Sequence, residues 1–114
     1  MAVAKLVTVG VRDATNRASV WGLDETGAVV WTYDTAGETT GVVRDVLGNY
    51  YIIGFPANNG SGVKNIWKLS EEGAFITSAV ISGTGVSSQG IAIDSNYIYV
   101  GCSNGAYRLN HALT

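Results

Sequence analysis

Apolar and polar side chains alternate along this chain in short runs, and the alternation has a period of two. Trp21 and Leu23 fall on one face of a short segment, and Trp67 with Leu69 repeats the arrangement. Val29, Trp31 and Tyr33 interleave with Val30 and Thr32 beyond the turn at Thr26-Gly27. Successive side chains of a strand point to opposite faces, so this pattern predicts β-strands. The run Asn49-Tyr50-Tyr51-Ile52-Ile53-Gly54 is apolar and aromatic throughout. It predicts a strand buried on both faces. Turn residues punctuate the chain at Thr26-Gly27, Ala36-Gly37, Gly48-Asn49, Asn59-Gly60, Glu72-Gly73, Gly83-Thr84 and Asn104-Gly105. Their spacing of roughly ten residues is that of a sandwich, barrel or propeller. Helical periodicity never lasts beyond about two turns. The fold class is all-β.

Comparing the chain with itself sharpens this. Trp21-Gly22-Leu23-Asp24-Glu25-Thr26-Gly27-Ala28-Val29 matches Trp67-Lys68-Leu69-Ser70-Glu71-Glu72-Gly73-Ala74-Phe75 at a constant offset of 46 residues. Gly41-Val42-Val43-Arg44-Asp45, followed by Asn49 to Gly54, recurs as Gly90-Ile91-Ala92-Ile93-Asp94, followed by Asn96 to Gly101. The offset moves there from 49 to 47, which the loss of one or two loop residues explains. Val7-Thr8-Val9-Gly10 echoes Ile52-Ile53-Gly54, and Tyr107-Arg108-Leu109-Asn110 echoes Trp67-Lys68-Leu69-Ser70. Repeated short strands with a period near 46 residues select a β-propeller. With strands lettered A to D from the propeller axis outward, the chain reads B-C-D, A-B-C-D, A-B-C. That predicts about ten short antiparallel strands in two to three blades of a single domain, 1–114: a partial blade over 1–34, a full blade over 40–81 and a partial blade over 89–110. Both ends are raw, and homo-oligomerisation would complete the ring.

Leu23-Asp24-Glu25-Thr26-Gly27-Ala28-Val29-Val30-Trp31 resembles the repeat motif of the quinoprotein (PQQ-like) propeller family. Tyr97 to Leu109 resembles the same family's strand pair. The resemblance implies that Asp24 and Thr26 close a turn onto backbone and that Trp31 packs between blades. In the second copy Ser70, Glu72 and Thr77 stand where Asp24, Thr26 and Trp31 stand in the first, so the tryptophan docking is not sustained. The structural repeat set is therefore Trp21, Leu23, Asp24, Gly27, Trp31, Trp67, Leu69, Gly73, Tyr107 and Leu109. Catalytic relatives would hold a quinone and calcium using a vicinal cysteine pair, whereas this chain has one cysteine, Cys102. The resemblance implies a fold without dehydrogenase activity and without a cofactor.

Composition narrows the partners. Charged residues are 14% of the chain, against roughly 25% in average globular domains, which fits surface buried within the chain or in an oligomer. The net charge of −2 offers no basic field for a phosphate backbone, so nucleic acid is not an expected partner. No run approaches the roughly 20 apolar residues of a membrane span, and Met-Ala-Val-Ala-Lys lacks the features of a signal peptide. The expected setting is cytoplasm or a virion. Cys102 has no cysteine partner and His111 is the one histidine, so neither a zinc site nor a catalytic triad is expected. Asp13, Asp24, Asp34, Asp45 and Asp94 stand at strand ends, where aspartate caps backbone amides. Trp21, Trp31, Trp67, Tyr99 and Tyr107 recur at equivalent places, as inter-blade core or as sugar-stacking surfaces.

Binding on such scaffolds resides in variable polar loops. The candidate ligand contacts are Arg12, Asn16, Arg17, Asn58, Asn59, Ser61, Lys64 and Asn65. The expected function is a non-enzymatic oligomerising module, a structural or recognition component such as a part of a viral particle. Its expected partner is itself, with a glycan or another structural protein as a further one. A lectin-like propeller and a fragment of a larger propeller are the alternatives.

Overall fold

The structure, a computed structural model, describes residues 6–13, 18–56, 64–81, 88–102 and 105–114. These residues form ten strands: β1 Leu6–Asp13, β2 Ala18–Leu23, β3 Val29–Tyr33, β4 Gly37–Arg44, β5 Tyr50–Pro56, β6 Ile66–Leu69, β7 Phe75–Ala79, β8 Ser88–Ile93, β9 Tyr97–Cys102 and β10 Gly105–Asn110. They pair with their sequence neighbours into three antiparallel sheets, β1-β2-β3, β4-β5-β6-β7 and β8-β9-β10, here called the first, middle and last sheets. None of the three closes on itself.

One turn recurs between these strands. The side-chain oxygen of Asp24 accepts from the backbone amides of Thr26 and Ala28, and that of Asp45 from Leu47 and Asn49. Ser70 does the same for Glu72 and Ala74, and Asn110 for Ala112 and Thr114. A short polar side chain thus satisfies two amides that the turn leaves outside the ladder. The fourth residue is Gly27, Gly48 or Gly73, with φ of 81–92°, or Leu113, with φ of 65°. Serine and asparagine therefore replace Asp24 without loss of the turn.

The turns also fix the true repeat register. Asp94 closes its turn one residue sooner than Asp45, its amide bonding to Tyr97 rather than to a residue four ahead. Tyr99 bonds Asp94 through its hydroxyl at 2.7 Å, and Tyr51 bonds Asp45 at 2.8 Å. Tyr99 is therefore the counterpart of Tyr51, Val100 that of Ile52 and Gly101 that of Ile53. The sequence comparison, which paired Gly101 with Gly54, is one residue out.

Burial follows the two-sided pattern expected of β5. Tyr50, Tyr51, Ile52 and Ile53 are all at most 3% exposed. Tyr50 and Ile52, with Trp67 and Leu69 of β6, pack against Val7, Val9, Val20, Trp31 and Tyr33 of the first sheet. Tyr51 and Ile53, with Ile66, pack against Ile98, Val100 and Leu113 on the other side. The sheets approach most closely at β4, which lies against β1 on one side and β8 on the other. The outer strands β3 and β10 make no backbone approach of that closeness and reach the middle sheet through side chains such as Trp31 and Tyr107.

Polar pins hold both junctions. Thr39, buried at the inner edge, accepts from the Gly10 amide at 2.9 Å and donates to the Ser19 carbonyl at 2.6 Å. Trp31 donates its Nε1 to the Glu71 carbonyl at 2.8 Å and stands edge-on to Tyr50. At the second junction Lys68 donates its Nζ to the His111 carbonyl at 2.8 Å. Glu71 and His111 occupy the same place in the recurring turn. Leu113, buried where the equivalent Gly73 underlies Trp31, fills the core. A hydrophobic side chain gains about 2 kcal/mol by such burial, which offsets the roughly 1–2 kcal/mol of its left-handed backbone.

Asp45 gives the fold a pH dependence. Burial pushes its carboxyl up, but hydrogen bonds from Tyr51, Asn49 and Leu47 outweigh this and lower the pKa below 3.8. A depressed folded-state pKa stabilises the fold above the unfolded value and is lost as pH falls through the folded one. Asp45→Ala should cost about 2–3 kcal/mol at neutral pH, since the buried Tyr51 hydroxyl and two amides lose their acceptor. The gap in melting temperature between parent and variant should begin to narrow as pH falls below about 3.9, the ordinary aspartate value, and go on narrowing at lower pH. A gap that is constant from pH 7 to pH 2 would contradict this assignment.

Candidate interaction faces

Among the described residues each internal face of the stack is covered, and two faces are not. Side chains of the last sheet that point away from the core include Gly90, Ala92, Tyr99, Gly101, Ala106 and Arg108, which line a depression of about 400 Å³. In the middle sheet the positions of Ala92, Gly101 and Ala106 are held by Val43, Ile53 and Ile66, so the depression is the room left by three smaller residues. A Cβ on Gly90 or Gly101 would meet nothing within 4 Å. Tyr99, 40% exposed, is held upright by Asp94. That hydrogen bond raises the tyrosine pKa and, with the Asn96 and Tyr97 amides, lowers that of Asp94. The Arg108 guanidinium lies 4.2 Å over the Tyr97 ring.

The opposite end is apolar. Leu6 and Val29 are 63% and 55% exposed, and Trp21 and Leu23 are half-buried. Trp21 and Leu23 correspond through the recurring turn to Trp67 and Leu69, which face the first sheet, and to Tyr107 and Leu109, which pack on the middle one. Trp31, Trp67 and Tyr107 are thus inter-sheet core, as one reading of the aromatics expects. Trp21 and Tyr99 lie on the outer faces of the end sheets, where no other described sheet covers them.

Two of the predicted ligand contacts, Lys64 and Asn65, have described side chains. Asn16, Arg17, Asn58, Asn59 and Ser61 lie outside the described residues, as does the side chain of Arg12. The backbone of Arg12 belongs to β1, not to a loop as expected, because pairing with β2 extends to Asp13 opposite Ala18. Lys64 is exposed. Asn65 is 4% exposed and faces inward: its Oδ1 accepts from the Ile81 amide at 2.7 Å, and its Nδ2 donates to the Ile81 carbonyl at 3.0 Å. A ligand could use this amide only by breaking both bonds.

A second depression, of about 450 Å³, lies between the β4–β5 and β8–β9 turns, beside Val46 and Leu47. Its carboxylates, Asp45 and Asp94, are committed to tyrosine hydroxyls and backbone amides. Among the described residues no three His, Cys, Asp or Glu side chains converge as metal ligands, and no helix is long and apolar enough to cross a membrane. No family model matches the chain, and no curated protein matches it.

Proposed function

We propose that this chain is a non-enzymatic structural or recognition module whose three sheets are propeller blades, and that further copies of the same chain complete the ring. The observation that carries this reading is that the two uncovered faces repeat those which the internal junctions bury. Sheets that meet at inner strands and diverge at outer ones give a wedge, which favours a ring over a flat stack. Two copies would bring six sheets, within the roughly four to eight blades of known propellers. The β1–β2 and β5–β6 connections, with Asn16, Arg17, Asn58, Asn59 and Ser61, are the variable surface such a ring would present to a partner.

Light scattering coupled to gel filtration at micromolar concentration should give a mass that is a whole multiple of 11.9 kDa. A mass of one chain, unchanged as the concentration is raised a hundredfold, would refute the reading.

A further inference from the structure

We infer that the depression on the last sheet receives the outer face of the first sheet of a second copy, head to tail, with Trp21 and Leu23 seated among Gly90, Ala92, Gly101 and Ala106. This rests on the reading that the chain assembles with itself, and it assigns the surfaces that meet. In both internal junctions the positions of Trp21 and Leu23 are pressed against the preceding sheet: Trp67 and Leu69 in one, Tyr107 and Leu109 in the other. Only the first sheet has no predecessor. The last sheet, which has no successor, carries smaller residues at three levels and so has room for an indole ring.

Hydrogen bonding makes the same assignment. The first turn residue after Ser70 and after Asn110 offers its carbonyl to a donor of the preceding sheet, Trp31 in one case and Lys68 in the other. The matching carbonyl in the first sheet is that of Glu25, after Asp24. The residue matching Lys68 in the last sheet is Arg108, which its contact with Tyr97 holds on the open face. Arg108 of one copy would therefore donate to the Glu25 carbonyl of the next, with the Glu25 carboxylate opposite in charge beside it. Because the two faces differ, the contact is heterologous, and each copy uses one face of each kind.

Two variants test this. Leu6→Glu charges the outer face of the first sheet at a position 63% exposed, and Gly101→Trp fills the depression where a Cβ meets nothing within 4 Å. Circular dichroism should match that of the parent, and each variant should still melt cooperatively, at a lower temperature than an assembled parent by the stabilisation that assembly adds. Each variant alone should run as a single chain of 11.9 kDa. Mixed in equal amounts, they should form a one-to-one pair and stop there, since the mixture contains one intact face of each kind. Either variant assembling like the parent, or a mixture that stays monomeric, would overturn the head-to-tail assignment while leaving self-assembly standing. A parent chain that is itself monomeric would remove both.

Discussion

Trp67→Ala should lower stability by about 4 kcal/mol, the usual cost of removing a buried tryptophan. The ring is 6% exposed and lies with Tyr50, Ile52, Leu69 and Val20 at the junction of the first and middle sheets. Domains of this size have total stabilities of roughly 5–15 kcal/mol. The loss should lower the melting temperature by roughly 15 °C. Two controls frame the result. Val46→Ser, at a position 98% exposed, should change stability by less than about 0.5 kcal/mol. Trp21→Ala, on the outer face of the first sheet, should cost the isolated chain less than Trp67→Ala. Equal shifts for Trp67 and Trp21 in a monomeric background would mean that the internal junction and the outer face are not distinguished by burial.

Gly22→Ala should destabilise by about 3 kcal/mol, a large effect for one methyl group. A Cβ at Gly22 would overlap the Trp31 ring, which lies across β2 on its way to the Glu71 carbonyl. The cost should be conditional. In a Trp31→Ala background, which itself loses about 3 kcal/mol of packing, adding Gly22→Ala should cost under about 1 kcal/mol. The coupling of about 2 kcal/mol lies within the range for residues in direct contact. Urea denaturation of the four proteins, with unchanged m-values, measures it. Additive costs would show that Gly22 serves the backbone rather than the ring.

Local pattern made the strands legible. Period-two alternation marked β2, β3 and β6, and the continuous apolar run marked β5 as covered on both sides. Aspartates at strand ends announced the capped turns, because a short polar side chain there has few other uses. What stayed hidden depended on geometry. Serine and asparagine can replace aspartate in the turn, and Leu113 can replace its glycine, so the turn at Asn110–Thr114 left no recognisable motif. Asn96-Tyr97 looks like Asn49-Tyr50 in letters, but the shorter Asp94 turn shifts the pairing by one, and a shift of one exchanges the faces of a strand. Asn65 reads as a loop amide, yet it mimics a strand pair with Ile81. Ser19, Thr35 and Thr39 gave no sign of burial, since hydroxyls buried among backbone partners look the same in sequence as exposed ones.

The pins at Thr39, Trp31 and Lys68 have a consequence for stoichiometry. A polar contact between unlike faces has no built-in stopping point: each added copy covers one face and presents another. Whether growth ends in a closed ring or runs on as a filament depends on the rotation accumulated per copy. That rotation is set inside the chain, by the angle at which the pins hold neighbouring sheets. If copies join head to tail as proposed, substitutions that loosen a pin should change how many copies associate while leaving untouched the surfaces at which they meet. In that assembly copy number would be set by the interior of the chain.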